Sequence, residues 1–136
     1  MTVTTDQNRI SRENIMCDHP VKAGEKIPGG VIVALNSAGL AVNGSDLAGA
    51  LTARLISAEE ADNTLGGNGD VRVLCYRKGD FKLKFASGVS AADVGKKVYC
   101  VDNDTVNFAS ATTNDIETGS VSQIIDGDYA WVDIEN

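Results

Sequence analysis

The run DVRVLCYRKGDFKLKF, Asp70 to Phe85, constrains the fold more than any other part of the chain. In its second half Phe81, Leu83 and Phe85 alternate with Lys82 and Lys84. A two-residue period puts the three apolar side chains on one face of a strand and the two cations on the other. The first half is a second alternating run, and Arg77-Lys78-Gly79-Asp80 between them reads as the turn of a β-hairpin.

Similar short runs fill the chain from Val21 onward. VIVAL (Val31–Leu35) and LAV (Leu40–Val42) flank Asn36-Ser-Ala-Gly39, a hairpin connection. LTARLIS (Leu51–Ser57) is a further run. KKVYCV and TVNF turn at Asp102-Asn-Asp104, and SVSQII and YAWVDI turn at Asp126-Gly-Asp128, where Asp-Gly is a strong hairpin signal. Helix is scarce. Ser57 and Glu60 have capping-box spacing, which predicts one or two turns before Gly66, and Ser90–Gly95 predicts one more. Ser11 is placed to cap a short helix near SRENIM. The expectation is a single all-β domain, a small barrel or sandwich, built on residues 21–136. Residues 1–20 are polar, contain no Gly and show no sustained period. They read as an extended N-terminal arm, disordered or docked on a partner.

With 136 residues the chain has room for one modest core, and with aromatics at only 5% that core rests on Val, Ile, Leu and Ala. The net charge of −7 argues against a general binder of phosphate backbones. The charge is also segregated. Residues 71–97 hold seven Lys or Arg against Asp80 and Asp93, residues 1–30 are balanced, and the remainder carries Arg54 against thirteen acids. Such a split lets a basic face meet an acidic one. No apolar run approaches the ~18 residues of a membrane span, and no secretory signal pattern opens the chain. Cys17, Cys75 and Cys100 cannot all pair within one chain, which predicts free thiols in a reducing cytosol.

Candidate chemistry is sparse. Cys17 and His19, two apart, share a face of an extended segment, the arrangement of a Cys/His dyad or of two metal ligands. A structural zinc needs four ligands, and no second Cys or His pair is in range. LGGNGD (Leu65–Asp70) leads into a strand, whereas a phosphate cradle draws on a helix N-terminus. DNDTVNF begins like a calcium loop but lacks the sixth-position Gly and the closing Glu. Tyr129 and Trp131 alternate on one face of the last run, as core or interface anchors, or as a stacking surface for sugar. The reading is therefore of a protein without catalytic, cofactor or metal residues.

Three passages carry a resemblance. VKAGEKIPGGVIVALNSAGLAV resembles the opening of the small capsid decoration (cement) proteins of tailed bacteriophages, where a Gly-led strand precedes a hairpin ending G-L-A-V. LISAEEADNTLGGNGDVRVLCYRKGDF resembles their middle, an acidic loop before small apolar residues and an Arg-Gly-acidic-apolar turn. DVGKKVYCVDNDTVNF followed by GSVSQIIDGDYAWVDI is similar to their closing half. The likeness spans Val21 to Ile134, with a longer arm and with Lys78 interrupting the Arg-Gly turn. It implies a β-rich structural protein on the outside of an expanded head, in the virion after synthesis in the host cytoplasm. The implied partners are the major capsid protein and further copies of itself in a homotrimer, with neither nucleic acid nor membrane. On this reading Arg9, Ile10, Arg12 and Ile15 of the arm meet the shell, and Lys82, Lys84, Tyr129 and Trp131 form an interface. The alternative is a carbohydrate-binding β-sandwich module using its aromatic surface.

Overall fold

The computed structural model describes residues 5–6, 15–109 and 111–135. The described chain is all β, with twelve strands and one 3-10 turn: β1 Met16–Pro20, β2 Lys26–Ile27, β3 Ile32–Leu35, β4 Ala41–Asn43, β5 Thr52–Ser57, β6 Ala61–Asp62, β7 Arg72–Tyr76, β8 Asp80–Phe85, the turn Ala91–Asp93, β9 Lys97–Cys100, β10 Thr105–Asn107, β11 Glu117–Ile124 and β12 Tyr129–Asp133. Five of the first seven strands form an open sheet in the order β1-β7-β5-β3-β4, and β2 pairs with β6. The last five close into a barrel, β10-β8-β12-β11-β9, in which β8 and β10 run parallel and all other neighbours antiparallel.

Three of the expected hairpins form. β3 and β4 pair around Asn36–Gly39, where the Asn36 side-chain oxygen accepts the Ala38 and Leu40 N–H groups and Gly39 takes φ 78°. β9 and β10 turn on Asp102, whose carboxylate accepts the N–H groups of Asp104 and Thr105 (both 2.9 Å). Asp126 does the same for Asp128 and Tyr129 between β11 and β12. Each short Asn or Asp side chain stands in for a backbone partner, which is why Asx residues favour turns.

The fourth hairpin, the one most strongly marked in the sequence, does not form. β7 pairs with β1 and β5 in the open sheet, while β8 pairs with β12 and β10 in the barrel. A two-residue hairpin turn needs positive φ at the first central residue or at both. Of the two central residues only Gly79 has it, at 122°. The connection therefore carries the chain from sheet to barrel, and Tyr76 meets Phe81 across the joint with ring centroids 5.5 Å apart.

The helix expected after Ser57 is also absent. The Ser57 hydroxyl is occupied, donating to the Pro28 carbonyl (2.6 Å) and accepting the Val31 N–H (3.0 Å), and Ala61–Asp62 pair with Lys26–Ile27. The turn expected within Ser90–Gly95 is present at Ala91–Asp93, closed by the Asp93 carboxylate on the Ser90 N–H (2.9 Å). Ser11 lies outside the described residues, and Met16 at the end of SRENIM is strand. The last five residues assigned to the arm, Met16–Pro20, form β1 along the whole of β7.

The open sheet packs on both faces at β3 and β5, while Asp18 and Arg72 of β1 and β7 are exposed. One face joins the barrel interior in the main core, where Ile32, Ala34, Ala53 and Ile56 meet Phe85, Val98, Val106 and Val132. The other carries a smaller core of Val21, Ile27, Val33, Leu55, Ala61, Val73 and Cys75. Arg54 of β5 pins the two halves together, reaching Glu117 of β11 and the Glu135 carbonyl.

Candidate functional site

The outward face of the barrel collects the residues that alternation had marked. On β8, Leu83 and Phe85 are buried and Phe81 packs against the main core, while Lys82 and Lys84 are exposed. On β12, Ala130 and Val132 turn inward and Tyr129 and Trp131 outward. The two strands are in register, with Trp131 opposite Lys82 and Tyr129 opposite Lys84. Diagonal neighbours on one face are within reach of long and aromatic side chains, and the Lys82 ammonium sits 4.7 Å from the centre of the Tyr129 ring, one pair along the ladder.

Sequence reasoning did not find the third contributor. Ile125, just past β11, donates its N–H to the Tyr129 carbonyl (3.1 Å) across the Asp-Gly turn and is 39% exposed, as is Trp131. The signal was available, because a hairpin at Asp126–Asp128 sets Ile125 against Tyr129, but it needed the turn register. The face thus carries three apolar side chains beside two lysines. At its far end Asp80 and Asp133 oppose each other, and the Ser122 hydroxyl donates to Asp80 (3.2 Å). Because β8 and β12 are held on both sides in a closed ring, the backbone sets the spacing of these side chains before any partner arrives.

The second constellation lies on the open sheet. The Cys17 sulfur is 3.4 Å from His19 Nε2, so extended backbone brings this pair together as its spacing predicts. Burial lowers the His19 pKa, which keeps the ring neutral near pH 7 and able to accept a thiol proton. Asp18, pointing the other way, pairs with Arg72 (3.0 Å), whose hydrogen bond lowers the carboxyl pKa. Among the described residues no group of His, Cys, Asp and Glu is placed to hold a metal ion.

The remaining motifs resolve into structure. In the Gly-rich loop Asp70 accepts the Gly67 N–H (2.8 Å), and the loop is clamped by Asn63, which is buried. The Asn63 amide donates to the carbonyls of Val21, Lys22 and Gly67 (3.1, 3.1 and 2.9 Å). In the Asp102–Asp104 turn the Thr105 hydroxyl binds Asp104 (2.7 Å) and lowers its pKa. An open depression of about 370 Å³ is bordered by Lys22, Glu25, Asn36 and Asn43, and its one carboxylate, Glu25, is held by the Asn43 N–H and amide (2.8 and 3.1 Å). Arg9, Ile10 and Arg12 lie outside the described residues, and Ile15 is exposed at the start of β1. No helix among the described residues is long and apolar enough to cross a membrane.

The class defined by this geometry is an all-β domain with a rigid, mixed aromatic and basic outer face. Compared with family models, with curated proteins and with solved structures, the chain matches none.

Proposed function

We propose that the protein is a capsid decoration protein, acting by contact and not by catalysis: it binds the outside of an expanded phage head and bridges neighbouring capsid subunits. The observation that carries the reading is the barrel face of Trp131, Tyr129 and Ile125 beside Lys82 and Lys84. Trp and Tyr are residues from which protein-binding hot spots are built, and lysines beside them add charge complementarity that steers docking. The resemblance over Val21–Ile134 supports the same assignment. The partner surface on the major capsid protein is an apolar patch bordered by acids, complementary to the two lysines. The residues ahead of β1 extend the contact, and clustering as a homotrimer multiplies it through effective concentration.

The test is co-sedimentation of the purified protein with expanded shells stripped of their decoration. Saturable binding is expected, weakened about 30-fold or more in Trp131→Ala, the scale of one hot-spot residue. A folded protein that leaves cognate shells bare overturns the proposal. A sugar-binding reading draws on the outward placement of Tyr129 and Trp131 on one strand face, and binding on a glycan array that is lost in Trp131→Ala would favour it instead.

A further inference from the structure

Cys17 and Cys75 are direct partners across the antiparallel ladder of β1 and β7. The backbone bonds flanking that ladder, Arg77 N–H to Ile15 O (2.8 Å) and Val21 N–H to Val71 O (2.9 Å), put the 17/75 pair at a hydrogen-bonded position. Partners at such positions stand about 5.5 Å apart at Cα, inside the roughly 4.4–6.8 Å that a disulfide spans, while their Cβ atoms, at the wide end of the cross-strand range, close to the required span of about 3.5–4.5 Å only as β1 shifts toward β7. Their side chains leave the sheet on the same side, and Cys17 packs against the small core that contains Cys75. Cys17 is half-buried and has the neutral His19 ring beside its sulfur, while Cys75 is fully buried behind it. Cys100 belongs to the other core, inside the barrel.

We propose that Cys17 and Cys75 form a reversible intramolecular disulfide on meeting a low-molecular-weight disulfide, stapling the outermost strand of the open sheet to its neighbour. In the first step the Cys17 thiol gives its proton to His19 Nε2. The thiolate attacks one sulfur of the small disulfide, whose S–S bond breaks and releases one thiolate to be protonated. In the second step Cys75 loses its proton to solvent base and attacks the Cys17 sulfur, expelling the second small thiol. Two protein thiols are oxidised and one small disulfide is reduced to two thiols. Burial pushes the Cys75 thiol up to about 12, so the second step waits on fraying of β1, whose strand pairing among the described residues is with β7 alone. This inference is independent of the capsid assignment.

The experiment incubates the full-length protein with oxidised glutathione, then alkylates it under denaturing conditions and weighs it. The expected product has lost two hydrogens, is alkylated at Cys100 alone and yields a Cys17–Cys75 linked peptide. Its unfolding temperature rises by several degrees and returns to the starting value with dithiothreitol. Cys100→Ala behaves identically, Cys17→Ser and Cys75→Ser do not form the product, and His19→Gln slows the first adduct about tenfold or more. Three alkylated cysteines after incubation, a glutathione adduct that persists on Cys17, or a link through Cys100 or between chains overturns the proposal. An unchanged rate in His19→Gln overturns the role given to the histidine.

Discussion

The two halves of the molecule solve the same problem, hiding strand edges, in opposite ways. The barrel closes on itself, so each of its five strands has two neighbours. The sheet ends in β1 on one side and the three-residue β4 on the other, and only the single Val21–Ala41 bridge just past β1 joins the two ends. Closure removes edges outright, whereas an open sheet leaves backbone groups to be covered or exposed. The faces are distributed inversely. The sheet's central strands β3 and β5 are covered on both faces, and the barrel turns Lys82, Lys84, Tyr129 and Trp131 outward. The lesson is a division of labour, with a closed half that presents a surface and an open half that ends in a strand paired to β7.

The sharpest way to break this contrast is from the barrel interior. Phe85 is 1% exposed and stacks near Phe108 with ring centroids 5.5 Å apart. Phe85→Ala is expected to cost about 3–5 kcal/mol in chemical denaturation, the range for emptying an aromatic core site. Removing residues 1–19 takes away β1 except Pro20 and uncovers Val73 and Cys75. The expected loss is about 2 kcal/mol, smaller than for Phe85→Ala, with the barrel still folded. A midpoint unmoved by the deletion would mean that β1 adds nothing to the sheet.

Two further measurements sharpen the comparison. Asn63→Ala takes one of two donors from each of the Val21, Lys22 and Gly67 carbonyls, which keep the N–H groups of Gly69, Glu25 and Asp70, and the expected cost is about 1 kcal/mol in thermal or chemical melts. Alkaline titration probes both cores at once, since burial pushes the thiols of Cys75 and Cys100 from an ordinary 9.0 up to about 12. Between those values the folded chain keeps protons that the unfolded chain releases. Stability is therefore full below about pH 9 and falls as pH rises toward 12. Each thiol adds up to about 1.4 kcal/mol per pH unit to that slope. Cys100→Ala should flatten the slope of denaturation midpoint against pH between 9 and 10.5, and an unchanged slope would remove the thiol from the account. The smallest stability effect belongs to the outer face, where Lys82→Glu should stay within about 0.5 kcal/mol of the parent while shell binding drops.

How much of this was written legibly in the sequence depended on range. Alternation over Phe81–Phe85 and Tyr129–Trp131 told which side chains point outward, because a strand needs only its own period to decide that. It did not tell that Trp131 stands opposite Lys82, since register is a property of two strands. The same limit misplaced the Asp70–Phe85 hairpin: local pattern marks a strand without naming its partner, and β8 found five register pairs on β12. Ser57 read as a helix cap only while Pro28 and Val31, far away in the chain, were out of view. Asn63 carried no signal at all, for a polar residue in a Gly-rich stretch looks like surface until its three carbonyl partners surround it. Cys17 and His19 needed only extended backbone, and there the spacing sufficed.

The most direct test of the proposed role is a cryo-EM reconstruction of expanded shells saturated with the protein. The account predicts added density at the joints between capsid subunits, with the β8–β12 face of the barrel, Trp131 and Lys82 included, turned toward the shell. Shells without added density, or density in which that face points to solvent, would contradict it.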